Sequence, residues 1–245
     1  MISVCMATYN GERFLREQID SILCQLAPDD ELIISDDGST DGTLDIIQSY
    51  NDKRIRLLHH KKKSEYAKIK YSRNFYYATD NFENALQAAQ GDYIFLADQD
   101  DVWMKDKVEK CISVLKNVDF VVHQMALISN ENSLLEKNKF YKNKLPQLWT
   151  YNIIHEKIWG CCTCFDRKVL DFVLPFPKKL IGHDYWISSI SLKKFKCELL
   201  EDELIKYRIH DGSVSQKKNK NPILFKINFR IVLLFQLLNR LFMDN

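Results

Sequence analysis

The sequence predicts an α/β fold with a mostly parallel central sheet. Apolar runs of strand length alternate with segments of helical periodicity over the first ~130 residues, a pattern that buries a parallel sheet between helices. Two acidic loops, DDGSTDG and DQDD, directly follow two of those runs, at the edge where parallel sheets bind ligands. No internal repeat, low-complexity segment or Gly/Ser linker divides the chain.

The elements follow in order. ISVCMATY is a β-rich apolar run, and GERFLREQIDSILCQL after it sets Phe14, Leu15, Gln18, Ile19, Ile22 and Leu26 near helical spacing. DELIISDDGSTDGTLDIIQSY repeats the unit, with a buried strand at Leu32 to Ser35 and a helix that Thr40 or Asp41 caps. RIRLLHH is a third strand. NFENALQAAQ reads as helix, DYIFLA as strand, KDKVEKCISVLKN as helix and DFVVHQMALIS as strand.

An apolar fraction of 46% over 245 residues supplies a sizeable core. Basic residues exceed acidic ones by two, so whole-chain charge gives no reason to expect a nucleic-acid partner. The amino terminus runs straight into a strand without the features of a signal peptide, which places the expected activity in the cytoplasm. Cys5, Cys24, Cys111 and Cys197 read as reduced core residues, and CCTC (161–164) lacks the further ligands of a structural zinc site.

DDGSTDG alone is an ordinary turn. LADQDDVW is not so easily dismissed: carboxylates at i and i+2 at a strand end repel one another, and a cation or basic partners usually offset that cost. Mg²⁺ or Mn²⁺ suits such oxygen ligands.

SVCMATYNGERFL, LIISDDGSTDGT, GDYIFLADQDDVW, GHDYW and YRIHDGSVS, in this order, resemble the family 2 glycosyltransferases of the GT-A (Rossmann-like) fold, across roughly residues 1–215. The DQDDVW variant is similar to bacterial enzymes that build surface polysaccharides, such as O-antigen, capsule or lipopolysaccharide, many of them rhamnosyltransferases. The resemblance implies a nucleotide-sugar half at about 1–120 and an acceptor half at about 121–215. It makes Ala7, Thr8, Tyr9 and Asn10 the loop lining the base pocket, and Asp36 or Asp37 the carboxylate that accepts from a pyrimidine N–H. Asp98, with Gln99 beside it, lies toward ribose and metal waters; Asp100 ligates a divalent metal, Mn²⁺ or Mg²⁺, and His210 reaches the metal or diphosphate. Asp184 is the implied catalytic base. Gly160, Cys161 and His183 are implied near the sugar or acceptor, and Asp101 either supports the metal ligands from behind or contacts the sugar. Trp103 and Trp186 each closely follow a carboxylate motif, which leaves two readings, plain core aromatics or the floor of a sugar site.

The chemistry of these residue types is consistent with those roles. A metal stabilises a departing diphosphate as a Lewis acid, and a carboxylate takes the proton of an attacking hydroxyl. HDYWISSISLKKF starts a helix, whose N-terminus favours an ionised Asp184, although a plain cap is the bland alternative. HHKKKSEYAKIKYSR (59–73) reads as a solvated basic loop in which Arg73 is a candidate phosphate contact.

QKKNKNP leads into an apolar tail (216–245) with no run near the ~20 residues needed to span a bilayer. Lys226, Arg230, Gln236 and Arg240 share one arc of a helical wheel, as on a helix lying in an anionic membrane surface or packed on protein. The expected function is inverting sugar transfer from a dTDP- or UDP-sugar to a glycan, often lipid-linked, at the cytoplasmic face of a bacterial membrane. Two rivals are an aspartyl-nucleophile phosphohydrolase and an inactive glycan-binding protein. Donor, linkage and oligomeric state are not legible in the sequence.

Overall fold

The computed structural model describes residues 1–138, 145, 150, 153, 158–178, 182–211 and 221–242. The basic stretch 216–220 and residues 212–215 of the last motif lie outside the described residues. In chain order the elements are β1 (Ile2–Thr8), α1 (Leu15–Leu23), β2 (Glu31–Asp36), α2 (Thr43–Ser49), β3 (Ile55–His59), α3 (Arg73–Ala88), β4 (Tyr93–Asp98) and β5 (Val102–Trp103). Then come α4 (Lys107–Leu115), β6 (Phe120–Ile128), β7 (Leu134–Asn138), β8 (Thr163–Asp166), α5 (Arg167–Val173), α6 (His183–Lys194), β9 (Cys197–Arg208) and α7 (Ile223–Phe242). This is the α/β arrangement expected.

Among the described residues the strands form one sheet in the order β3-β2-β1-β4-β8-β6-β9-β5, with β7 on β6. β3, β2, β1 and β4 run parallel, and β6 pairs parallel with β9. β8 is antiparallel to both β4 and β6 and joins the two parallel blocks. Alternate residues serve opposite faces. Val4, Met6, Leu32, Ile34, Phe95 and Ala97 pack with α1, α2 and α4, while Cys5, Ile33, Ile94 and Leu96 pack with α3, α5, α6 and α7. Burial on both faces explains why these strands read as continuous apolar runs.

The register of β1 sets the site. Thr8 lies opposite Asp36 on one side, and Ala7 opposite Asp98 on the other, so both acidic loops leave the sheet at one edge. The Asp36 loop is followed by α2, which starts at Thr43; its N-cap is Gly42, not Thr40 or Asp41 as expected, though Asp41 just ahead of it accepts from Thr43 N at 3.1 Å.

Arg208, at the end of β9, fixes the second loop. It is 1% exposed, yet every part of its polar surface has a partner. Its backbone N donates to Asp101 Oδ1 at 3.0 Å and its Nε to the Asp100 carbonyl at 2.8 Å. The guanidinium also reaches Glu17 Oε2 on α1 at 2.7 Å and Asn132 Oδ1 at 2.6 Å. Neither its position nor its reach is visible in the sequence, because its partners lie as far as 191 residues away.

Two open readings narrow and one expectation changes. Trp103 is buried in the core against Phe95, with the Lys107 ammonium 4.1 Å from its ring centroid. Trp186 is 1% exposed and donates its Nε1–H to the Val173 carbonyl at 2.9 Å. Both rings are core aromatics, the plainer of the two readings the sequence leaves open. Cys24 is exposed rather than buried, because it follows α1 on its solvent side; Cys5, Cys111, Cys161, Cys162 and Cys164 are buried, and all seven cysteines are free.

Arg208→Ala removes a charged fork from a buried network and leaves the Asp100 carbonyl, Glu17 and Asn132 without it, while the backbone N–H that meets Asp101 remains. Urea denaturation is expected to show a loss of about 3–5 kcal/mol, and Arg208→Lys, which cannot fork, a loss of at least about half of that. Unchanged midpoints in both variants would remove Arg208 from this role.

Candidate active site at the carboxyl edge of the sheet

Two loops meet across the end of β1. Asn10, in the left-handed region at φ 49° that asparagine tolerates, donates its backbone N–H to Ser39 Oγ at 2.9 Å. Its Oδ1 accepts from Thr40 N at 2.9 Å, so Asn10 ties the first loop to the second. Gln99 ties the first loop to the third: its Oε1 accepts from Tyr9 N at 2.8 Å and its Nε2 donates to Tyr9 O at 3.2 Å. Both ends of the Gln99 amide hold the Tyr9 backbone, so this side chain joins the two loops whatever it meets beyond them.

The acidic residues divide into satisfied and open groups. Asp36 is buried and accepts from Gly38 N, Ser39 N, Ser39 Oγ and Thr8 Oγ1 at 2.5 to 3.2 Å. Its carboxylate is the organiser of the DDGST turn. Asp37, also buried, meets His60 Nδ1 at 2.8 Å and Lys62 Nζ at 3.6 Å. His60 Nε2 continues to Asp80 Oδ2 at 3.2 Å, and Lys63 pairs with the same carboxylate. Lys62 Nζ also lies 2.9 Å from the centroid of the Tyr9 ring, on the face of a side chain that is 48% exposed.

The start of the basic segment therefore folds inward, contrary to the solvated loop expected there. Arg73 begins α3 and donates to the Ala67 carbonyl at 3.3 Å. Hydrogen bonds to Asp37 and Asp80 push the His60 pKa up to about 9. Burial would raise Asp80, but hydrogen bonds from His60 and Lys63 hold it below the ordinary carboxylate value. His60, Lys62 and Asp80 were missed in the sequence, where only the basic run itself gives a signal.

Around DQDD the balance is different. The Asp98 carbonyl accepts from the buried Gln18 Nε2 at 2.7 Å, which orients the end of β4. Burial, then the charges of Asp100 and Asp184, raise the Asp98 pKa to about 7. Asp101 is fully buried and is pushed well above its ordinary value by burial and by the charges of Asp100 and Asp98. Its Oδ2 has no hydrogen-bond partner among the described residues. Asp100 Oδ2 lies 2.7 Å from His210 Nε2, and the His210 ring packs on Phe14 at 5.0 Å between centroids.

Ligand atoms of Asp98, Asp101 and Cys161 lie within 4.8 Å of one another. A hydrogen bond with Cys162, and burial, hold the Cys161 thiol well above its ordinary pKa, so it is neutral and a poor partner for a hard cation. The crowded carboxylates, one with an orphaned oxygen, fit a hard divalent cation. Among the expected metal ligands, Asp100 and His210 form a pair of their own, while Asp98 groups with Asp101. Asp101 and Cys161 are sealed from solvent, which suits a supporting place for Asp101 behind the loop and a packing role for Cys161.

Asp184 stands on the first turn of α6 and makes no cap, which answers the bland alternative. The turn is set by Gly182, at φ +79°, whose N–H donates to Thr79 Oγ1 at 2.8 Å. The Asp184 carboxylate keeps partial exposure, 27% of its side chain. His183 Nε2 approaches Asp184 Oδ1 to 2.6 Å, off the line of a hydrogen bond, and its ring lies on Phe82. A Cβ on Gly160 would lie 2.6 Å from Asp184 Oδ1 and 3.0 Å from His183 Nε2. Gly160 is thus where a close approach demands glycine, and both Gly160 and His183 shape the seat of Asp184.

The sign of the His60 effect follows from its raised value. Protonated His60 stabilises the fold fully below about pH 6.5, and that contribution disappears as pH rises through about 9. After allowance for solvent screening it is worth about 1–2 kcal/mol. Denaturation at pH 6.5 and 9.5 is expected to show that extra loss in the parent protein and not in His60→Gln; parallel pH profiles would reject the bridge.

A sequence profile described as "Glycosyl transferase family 2" matches residues 3–173. The chain is 33% identical, over 90% of its length and 81% of the relative's, to the Escherichia coli UDP-Glc:alpha-D-GlcNAc-diphosphoundecaprenol beta-1,3-glucosyltransferase WfgD. It is 30% identical, over 90% of its length and 83% of the relative's, to the putative teichuronic acid biosynthesis glycosyltransferase TuaG of Bacillus subtilis. Its fold is similar to that of S. aureus TarS 1-349 in complex with UDP-GlcNAc, at a TM-score of 0.68 and 19% identity, covering all of this chain and 73% of that one. The mannosyltransferase PcManGT from Pyrobaculum calidifontis, in complex with GDP-Man and Mn²⁺, gives a TM-score of 0.59 at 17% identity, covering 98% of this chain and 72% of that one. With open carboxylates gathered at the sheet edge and a family profile matching more than half of its length, the chain belongs to glycosyl transferase family 2 and has the GT-A fold.

Proposed function

We propose that the protein is an inverting, metal-dependent transferase that moves a sugar from a pyrimidine nucleotide diphosphate to a hydroxyl of a lipid-linked glycan in bacterial polysaccharide synthesis. The observation that carries this reading is the crowding of carboxylates at the carboxyl edge of the sheet: ligand atoms of Asp98 and Asp101 lie within 4.8 Å with Asp101 Oδ2 unpartnered, and Asp184, packed tightly against Gly160, is near enough for its charge to help raise Asp98. The E. coli relative is named for forming a β-1,3 bond from UDP-Glc on a diphosphoundecaprenol-linked sugar, which supports the same donor and acceptor classes here.

In this reading residues 1–120 hold the nucleotide and 121–215 meet the acceptor. The exposed Tyr9 ring packs on the base, and Asp37, at the mouth beside Lys62, accepts from the base N–H; Asp36 is the turn that aims it. Asp98 and Asp100, with His210 on Asp100, would hold a divalent cation, Mn²⁺ or Mg²⁺. When bound, such a cation supplies charge to stabilise the departing diphosphate. Asp184 takes the proton of the attacking hydroxyl at its partly exposed carboxylate. A single displacement from the side opposite the diphosphate inverts the anomeric carbon.

Asp184→Asn keeps size and loses basicity, and kcat is expected to fall by about 10²–10⁴-fold while nucleotide binding is retained. Gly160→Ala, which pushes on Asp184 Oδ1, is expected to lower kcat in the same direction with nucleotide affinity unchanged. Retained turnover of Asp184→Asn with a UDP-sugar and a pyrophosphate-linked acceptor would refute the base assignment. Asp100→Ala is expected to abolish the Mn²⁺-dependent part of UDP binding in calorimetry; binding that still responds to Mn²⁺ would place the metal elsewhere.

A further inference from the structure

Helix α7 has its polarity reversed for a water-facing helix. Toward the protein it buries Leu233, Leu237 and Leu241. Its polar groups also turn inward: Arg240 donates to the carbonyls of Phe172, Leu174 and Pro175, and Gln236 to that of Lys178. Phe225 lies on Tyr71 and Phe229 on Tyr185, at 5.3 and 5.5 Å between ring centroids.

Toward solvent, Ile223, Ile227, Ile231, Phe235, Leu238 and Phe242 recur every three or four residues and are all exposed, Phe235 by 64%. Leu224, beside them, is 77% exposed. Asn228 is the one polar residue among the exposed positions of α7. The result is an apolar stripe running the length of a 20-residue helix, about 30 Å.

We infer that this stripe docks on an anionic lipid bilayer. The charge around it selects that occupant. α7 carries no carboxylate, and besides Arg240, which backbone carbonyls hold inward, it carries Lys226 and Arg230, both partly exposed beside the stripe. The neighbouring α6 adds Lys193, 6.0 Å from the Phe242 ring centroid, and Lys194, 3.8 Å from that of Phe172. An apolar stripe with cations at its flanks places its side chains in hydrocarbon and its charges at anionic headgroups. A second copy meeting the same stripe about a twofold axis would bring these cations toward each other, with no carboxylate on α7 to answer them. No helix among the described residues is long and apolar enough to cross a membrane, so the contact is with the surface.

The inference rests on the proposed lipid-linked acceptor for its purpose, and its test is independent of it. The full chain is sedimented with vesicles of phosphatidylethanolamine containing phosphatidylglycerol, and with vesicles of phosphatidylcholine alone. The parent protein is expected to pellet with the anionic vesicles and to be released by high salt. Ile227→Ser/Ile231→Ser/Phe235→Ser, changes at exposed positions, is expected to lower vesicle affinity by at least about tenfold with the melting temperature and UDP binding retained. A parent protein that stays in the supernatant, or a triple variant that pellets equally, overturns the inference. So does light scattering that shows a dimer dissolved by the triple substitution without any vesicle binding, which assigns the stripe to a second copy. Transfer to a water-soluble acceptor reports separately on the glycosyltransferase reading and is expected to survive the triple substitution.

Discussion

Arg208 holds together parts of the chain that would otherwise repel or drift. Its backbone and guanidinium join the DQDD turn, α1 through Glu17 and the turn that carries Asn132, all from a position almost without exposure. A buried guanidinium without partners costs several kcal/mol, so the loops that satisfy it are held as tightly as it is. The Phe14 ring links this support to the site: Arg208 lies over it at 4.6 Å and His210 packs on it. Asp100 is thereby fixed twice, by its carbonyl on Arg208 and by its carboxylate on His210.

With the scaffold fixed, the difference between the two acidic loops becomes meaningful. Asp36 and Asp37 are answered by hydroxyls, backbone N–H groups, His60 and Lys62, so that loop is complete as it stands. Asp98 and Asp101 are raised by burial and by each other's neighbours, and Asp101 keeps an orphaned oxygen. A loop whose charges are balanced internally keeps its shape before any ligand arrives. One whose charges remain unbalanced is suited to a positively charged ligand.

The strands were legible because a sheet buried on both faces writes its length directly as an apolar run, and β1, β2, β4 and β6 all do so. Both acidic loops were legible because a parallel sheet puts strand ends at one edge. What was not legible depended on distance in sequence. Nothing local shows that Arg208 meets Glu17, or that His60 bridges Asp37 and Asp80. Trp103 and Trp186 fall to the plainer reading for the complementary reason: each follows a carboxylate by two residues, but nearness in sequence does not bring side chains into one cavity, and both rings are buried in the core. For α7 the wheel separates a polar arc from an apolar one, yet cannot say that Gln236 and Arg240 reach back to carbonyls of the protein body.

That reversal connects the two ends of the functional argument. α7 packs on α6 through Phe229 against Tyr185, one residue from Asp184, and through Arg240, whose guanidinium lies 5.6 Å from the Trp186 ring centroid. The helix that carries the proposed base is therefore sandwiched between the sheet and the helix that faces lipid. An acceptor anchored in a bilayer diffuses in two dimensions, and its sugar extends only a short way from the headgroups. An enzyme held at that surface by α7 meets the acceptor at a fixed height, with α6 oriented relative to the membrane plane by the same packing that seats Asp184. Proximity to the substrate and alignment of the base then follow from one helix pair, which is the entropic advantage that surface attachment offers a reaction between an anchored acceptor and a soluble donor.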